Sequence, residues 1–385
     1  MTEYGVGIIG TKNVTVGEKY FGMGFMGKTH TFAHTVMPFY YPNLPYRTKL
    51  IGACNRSPGA AESARDALGF SYATTNEDDL FADPRIQLIH VCTPNACHAA
   101  QVTKALKAGK HVYCDKPLTM TAAEADELAA QAAASGLTAQ VAFQNRFFPS
   151  TMRARQLAEE GRLGEILCFR AEYLHSGSID PNKPMGWKQG EIGGVLLDLG
   201  SHVLDLLYSI IGGFDSVFCR RRILYPARPG KDGQMHEITA EDHVTLMLTL
   251  PNGACGTVEA SKIATGIDDE LRVEIHGTKG AIRFNLMQPN TLWFYDNTKP
   301  EAPFGGDRGF TAIECTARYA PPGNVFPSQK NGVGWIRAHC HSVYTFVDHV
   351  YRGEPGTPSF ADGAYIQRVM EAAQKSAASG SIRNI

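Results

Sequence analysis

The chain lacks a charge surplus, a membrane-length apolar run and any paired-cysteine motif. Its 37 basic and 38 acidic side chains leave a formal net charge of −1. That excludes a nucleic-acid or membrane-surface role resting on bulk charge. No uninterrupted apolar stretch approaches the roughly 20 residues of a bilayer span. The opening Met1-Thr2-Glu3-Tyr4 carries no basic leader. The nine cysteines are odd in number and irregularly spaced, with no Cys-x-x-Cys. Several fall in apolar strand patterns, where a free thiol packs as a small hydrophobe. The expected compartment is therefore a reducing cytoplasm. His339-Cys340-His341 brings metal-ligand types together, but adjacent side chains diverge on a helix or strand, and no metal is expected.

What is present is enough chain for two domains: 385 residues, 43% hydrophobic and 19% charged. Short apolar strands are expected at 4–10, 49–54, 87–92, 111–114 and 138–143, separated by helical patterns at 57–68, 97–108 and 121–135. The last helix opens on Thr121-Ala122-Ala123-Glu124, a capping-box signature. Gly109 and Gly136 stand where helix C-caps belong. This alternation predicts a doubly wound parallel sheet, a Rossmann-type α/β domain over residues 1–145. From 146 to 385 the pattern changes to a helix at 151–160 and strands near 166–175, 215–223, 242–250, 254–262, 270–276 and 280–285. Pro251-Asn252-Gly253 marks a hairpin. Helices are expected near 192–211, 338–352 and 361–379, the last two with the option of packing back on the first domain. The prediction is an α+β domain with a large, mostly antiparallel open sheet, suited to homo-oligomer formation. Segments 225–238 and 296–334, rich in Gly and Pro, read as long loops.

Two features carry chemistry. Gly22-Met23-Gly24-Phe25-Met26-Gly27 fits G-x-G-x-x-G, a glycine run that lets a pyrophosphate approach a helix N-terminus, with 28–36 able to form that helix. Eleven residues, Thr11 to Phe21, separate it from the strand end at Gly10, so Gly10 serves the turn while the insertion loops out. After the second strand, Cys54-Asn55-Arg56-Ser57 has no acid to read a ribose. Asn55 can bond a 2′-hydroxyl, while Arg56 and Ser57 could hold a 2′-phosphate, which leaves NAD and NADP both open. The second feature is Lys116, in Val112-Tyr113-Cys114-Asp115-Lys116-Pro117. A lysine between an acid and a proline at a strand end suits a site better than a core, because the proline ends the ladder and defines where the ammonium is presented.

With Lys116 placed after a fourth parallel strand, the chain resembles the glucose–fructose oxidoreductase/inositol dehydrogenase (Gfo/Idh/MocA) family. The motifs are the glycine run, Thr93-Pro94-Asn95-Ala96-Cys97-His98, Gly109 through Pro117, Asn145-Arg146-Phe147, Gly193 through His202, and Pro358-Ser359-Phe360-Ala361-Asp362-Gly363. The family's usual Glu-Lys-Pro stands here as Asp-Lys-Pro. The resemblance implies a nicotinamide cofactor, NAD with NADP not excluded. Its contacts would be Gly10, Gly22, Gly24, Phe25, Met26, Gly27, Asn55, Arg56, Thr93, Pro94, Asn95, His98, Asp115 and Lys116. It also implies His202 as acid/base and Lys116 as the group that polarises a substrate hydroxyl. Independently of the family, Asp198 and His202 are four apart in a helical pattern and share a face, and a carboxylate beside an imidazole sets its tautomer.

Lys116, Asp198 and His202 are thus the expected catalytic residues. Further substrate-binding candidates are Arg146, which could equally pair structurally, Tyr173 and His175 on one strand face, and Trp187 and Lys188 before the Asp198 helix. The expected function is oxidation of a secondary hydroxyl of a sugar, at C3 of a glucoside. Inositol oxidation is a second reading, and a catalytically silent sugar or cofactor sensor is a third, of another class. Redox-recycled glycoside hydrolysis stays open beside net dehydrogenation. The expected partner is a small sugar or glycoside, with neither nucleic acid nor membrane.

Overall fold

The structure is a computed structural model and describes residues 1–10, 14–16, 19–21, 24–184, 193–230 and 232–385. Two compact units emerge. Unit 1 holds Met1–Phe147, Tyr319–Gln329 and Gly334–Gln367; unit 2 holds Phe148–Arg318, Lys330–Val333 and Arg368–Ile385.

Unit 1 begins with β1 (Thr2–Gly10) and a two-stranded hairpin, β2 (Val14–Val16) and β3 (Lys19–Phe21), inside the insertion that the sequence reads as a loop. Then come α1 (Phe25–Tyr40), β4 (Tyr46–Cys54), α2 (Pro58–Leu68), β5 (Tyr72–Thr74), α3 (Asp78–Ala82), β6 (Leu88–Cys92), α4 (His98–Lys107), β7 (His111–Cys114), α5 (Ala122–Ser135) and β8 (Ala139–Val141). The six-stranded sheet runs β5-β4-β1-β6-β7-β8, all parallel. Strand order reverses beside β1, so the carboxyl ends of β1, β4, β6 and β7 share one edge, with the ligand-binding crevice expected where the order switches. The caps are local chemistry: Thr121 and Glu124 form the reciprocal capping box of α5, and Gly136 ends it at φ 66°, where a side chain would be strained.

Unit 2 contributes α6 (Pro149–Glu159), β9 (Ile166–Leu174), α7 (Ser201–Ile211), β10 (Ser216–Arg222), β11 (Ala227–Pro229), β12 (Met235–Glu237), β13 (His243–Thr249), β14 (Cys255–Ser261), β15 (Glu270–Gly277), β16 (Gly280–Asn285), β17 (Thr291–Asp296) and β18 (Phe310–Glu314). With β19 (Arg383–Asn384) near the end of the chain, nine strands order as β18-β17-β16-β15-β9-β14-β13-β10-β19. Only β9–β14 is parallel in this sheet. Alternation sets its faces. Phe169, Ala171, Tyr173, Val258, Leu271, Val273 and Ile275 are buried, and α6 and α7 pack there. The opposite face carries Arg170, Glu172, Arg272, Glu274 and Arg283, with Arg283 and Glu274 paired at 2.9 Å.

The chain returns to unit 1 with α8 (Trp335–Arg352) and the start of α9 (Phe360–Ser379). Helices α1 and α8 pack on the sheet face that presents Val6, Ile8, Leu88 and Tyr113, adding Ala33, Met37, Val343, Phe346 and Val347 to one core. The returning segment is pinned by Arg337, whose guanidinium is buried among tyrosines. It sits 4.2 Å from the ring centres of Tyr40 and Tyr319 and 5.0 Å from that of Tyr41, and donates to the Gly323 carbonyl at 3.1 Å. Cation–π contact offsets desolvation best for guanidinium, which water holds weakly.

Candidate active site

The cofactor side lies in unit 1. Gly24 caps α1 with no side-chain hydrogen bond, and no acid stands in the first turn. An uncapped helix start with the positive end of its dipole favours an anion. This is the fit a dinucleotide pyrophosphate needs. Phe25 is exposed and packs 5.3 Å from Trp335, Met26 is half-buried and Gly27 buried. Gly22 lies outside the described residues. Gly10 ends β1 beside Cys92 of β6. After β4, Asn55 is buried and its Oδ1 accepts the Ser57 N–H at 3.2 Å, opening α2, while Arg56 is exposed.

Beyond β6, the Thr93 hydroxyl donates to Gln101 at 2.7 Å, and Pro94 and Asn95 form the turn into α4. His98 is fully buried. Its Nε2 faces the Thr93 carbonyl at 2.9 Å and its Nδ1 the Pro117 carbonyl at 3.0 Å. It ties the turn after β6 to the turn after β7, so it shapes this rim through backbone it holds. Asp115 N–H bonds the Val91 carbonyl at 2.9 Å, and the Asp115 carboxylate accepts the Lys116 N–H at 2.8 Å. Lys116 is half-buried, on a backbone anchored at both neighbours. Arg146 reaches Asp362 at 3.9 Å, the structural pairing left open by the sequence, and Asp362 itself caps α9 with Ser359.

The second set of candidates lies in unit 2. Gly194 adopts φ +112°, and a Cβ there would stand 2.4 Å from the Glu241 carboxylate. Glycine is required, and Glu241 instead accepts the Leu196 N–H at 3.0 Å, capping the turn that carries Asp198. That turn, Leu196–Gly200, is π-helical and runs into α7 at Ser201. The continuous helix expected over 192–211 is corrected accordingly, since an i→i+5 turn re-aims the side chains it carries. The Asp198 carboxylate sits 3.1 Å from Lys262 Nζ, both largely buried. His202 is buried on the first turn of α7, its ring 5.9 Å from Tyr173 of β9. Tyr173 bonds Asp269. Burial, then the Asp269 charge, raises the Tyr173 hydroxyl well above its ordinary value, and burial also raises Asp269. His175 lies just past β9, with Nδ1 accepting the Gly177 N–H at 2.9 Å. Trp187 and Lys188 lie outside the described residues.

Asp198, His202, Tyr173, Lys262 and Asp269 thus form one polar group, with His202, Tyr173 and Lys262 buried, Asp198 half-buried and Asp269 at its exposed edge. The sequence reading passed over Lys262, Asp269 and Glu241. The signal for Lys262 was there: a lone lysine at the end of an apolar strand, the same argument that singles out Lys116. We expect Lys262→Met to take the ammonium from a buried carboxylate, at a cost of about 3 kcal/mol or more. Melting and kcat should both fall, and unchanged values in both would show the pair to be idle.

Comparison with known proteins identifies the family. Residues 6–143 match the oxidoreductase family model with an NAD-binding Rossmann fold, and residues 151–283 match the GFO/IDH/MocA C-terminal domain. The levoglucosan dehydrogenase of Pseudarthrobacter phenanthrenivorans is 32% identical over 95% of this chain and 97% of its own length. Among solved structures, an oxidoreductase domain protein from Kribbella flavida has a TM-score of 0.92 at 33% identity, covering 100% of both chains. A levoglucosan dehydrogenase in complex with NADH and L-sorbose has a TM-score of 0.92 at 30% identity, covering 100% of this chain and 99% of the other. The fold and site define an NAD-binding oxidoreductase. The chain belongs to the Gfo/Idh/MocA family of NAD-dependent sugar dehydrogenases.

Proposed function

We propose that the protein oxidises a secondary hydroxyl of a glucose-derived glycoside at C3. The observation that carries this is the unit 2 group, in which Asp198 and Asp269 flank Tyr173 and Lys262 balances Asp198. Acceptors on more than one side suit the middle hydroxyl of a vicinal triol. Similarity over nearly the whole chain to an enzyme named for levoglucosan, an internal glucoside with such a triol, supports the same class. In this reading His202 takes the hydroxyl proton, Lys116 hydrogen-bonds the oxygen as charge develops on it, and Asp198, anchored by Lys262, holds the orientation. Bound NAD supplies the hydride acceptor.

The test is NADH absorbance after adding levoglucosan, methyl glucoside, glucose or myo-inositol to enzyme and NAD, with the product assigned by NMR. A 3-keto product from levoglucosan or the glucoside is expected. Reduction only with myo-inositol would overturn the substrate class, and silence across the panel would favour a sensor.

A further inference from the structure

Among the described residues Arg228, on β11, is the largest fully buried side chain, 1% exposed. Its hydrogen-bond partners are carbonyls rather than carboxylates. Nη2 donates to the Ser178 carbonyl at 2.5 Å and Nη1 to the Asp180 carbonyl at 2.6 Å. The guanidinium lies 4.9 Å from the centre of the Tyr225 ring, and the Tyr225 hydroxyl donates to the carbonyl between those two, Ile179, at 2.9 Å. Three successive carbonyls of the loop after β9 are thus held by two side chains of the 225–228 segment. Burying a cation is costly, and a neutral side chain of the same bulk would fill the space without that cost. What a guanidinium adds is a planar fork that grips two oxygens in a fixed geometry.

The gripped loop leads to the site group of unit 2. The Ser178 N–H donates to the Lys262 carbonyl at 2.8 Å, and the Lys262 N–H donates to the Asp242 carbonyl at 2.8 Å. The Asp242 carboxylate accepts the Leu224 N–H at 3.0 Å, at the head of the segment that carries Tyr225 and Arg228. The contacts therefore close on themselves: Arg228 to Ser178, Ser178 to Lys262, Lys262 to Asp242, and Asp242 back to Leu224. Arg228, Ser178, Lys262 and Asp242 are all buried, so water does not compete for these hydrogen bonds. Lys262 is held at both its N–H and its carbonyl, and its side chain leaves the frame to meet Asp198 at 3.1 Å. The same loop is tied down again at its start, where the His175 N–H donates to the Ser261 carbonyl at 2.9 Å and the His175 carbonyl accepts the Ala264 N–H at 3.1 Å.

We propose that Arg228 is a positioning residue for the sugar site. By gripping the loop at Ser178 and Asp180 it fixes where Lys262 presents its ammonium to Asp198, and so where Asp198 meets the substrate. Sealed from solvent, it acts through the backbone of Ser178 and Lys262. This rests on the reading of Asp198, anchored by Lys262, as the group that orients the sugar.

The experiment is steady-state kinetics on Arg228→Met, Arg228→Lys and Tyr225→Phe, with levoglucosan or whichever panel sugar reduces NAD, beside NADH titration and thermal melting. Lys262 and Asp198 are still present in these variants, only less firmly placed, so the loss should fall on binding. Arg228→Met should raise the sugar KM about tenfold, with kcat within about twofold and NADH affinity held. Arg228→Lys keeps the cation but reaches one carbonyl, and should recover part of the loss, to about threefold. The decisive readout is a double-mutant cycle. In a Lys262→Met background, Arg228→Lys should add nothing further to the sugar kcat/KM, because its effect passes through Lys262. If Arg228→Met does not fold, Arg228→Lys and Tyr225→Phe, each losing one carbonyl, carry the same test. An unmoved sugar KM in the folded variants, or effects that multiply in full across the cycle, would overturn the positioning role and leave Arg228 as packing. If Lys262→Met alone leaves the sugar kinetics unchanged, the site reading fails first. If Lys262→Met impairs them while the Arg228 variants do not, only the positioning role fails.

Discussion

Lys116→Ala and His202→Ala should each lose about 10²–10⁴-fold in kcat while still binding NADH. In the proposed reaction Lys116 acts on the oxygen and His202 on the proton of the substrate, and the cofactor phosphates are assigned instead to the start of α1, where Gly24 makes no side-chain cap. Loss of an interaction made in the transition state lowers kcat without a matching change in cofactor affinity. Lys116→Ala should also leave stability nearly intact, because the turn that carries it is held by Asp115 and the Val91 carbonyl. Steady-state kinetics beside NADH fluorescence titration checks this. Near-normal kcat in either variant would sink the catalytic assignment, and loss of NADH binding would move the residue to the cofactor.

The second large effect is acid instability of unit 1. Burial pushes His30 and His34 down to about 3, with the His34 charge also opposing His30. Burial, then Arg337, pushes His341 down to about 3. Burial puts His90 and His339 well below the ordinary value as well. A group that binds protons more tightly in the unfolded chain favours unfolding as pH falls. The stability is therefore fully present above about pH 6.5, the unfolded value, and is lost progressively as pH drops toward the folded values. Each such histidine costs about 2 kcal/mol at about pH 5. Glu241 and Asp269, raised mainly by burial, work in the opposite sense in unit 2 and offset part of the loss. Urea unfolding at neutral pH and near pH 5 measures it, and His34→Gln should flatten the dependence. A free energy flat across that window would refute the burial argument.

Much of the fold was legible because its signals are local. The strands of the parallel sheet, the Thr121–Glu124 cap and the αL glycine at 136 are written in short-range chemistry. The failures are also local in cause. β18 has the burial pattern ieeie and lies in a Gly/Pro-rich stretch, so no period-2 signal separates it from loop. β17, Thr-Leu-Trp-Phe-Tyr-Asp, is apolar on both faces and breaks the alternation that marks a strand. β5 has three half-buried residues, and the pair β11 and β12 is equally short. The π turn at Asp198 has no propensity signature, because what decides it is the fit of Gly194 against Glu241, which lies 47 residues further along the chain.

The sequence by itself determined the class of fold, the cofactor loop, Lys116 at its strand end, and the Asp198 and His202 motif. Each is a short run whose spacing or turn chemistry carries the information. Only the tertiary structure decided that Lys262 and Asp269 join Asp198 and Tyr173, that Arg337 sits among three tyrosines, and that four histidines from α1, β6 and α8 share one core. Those residues come from distant stretches with no common period. A buried polar group is placed by the partners that satisfy it, and those partners exist only after the sheets have formed and the later helix has returned to the first unit.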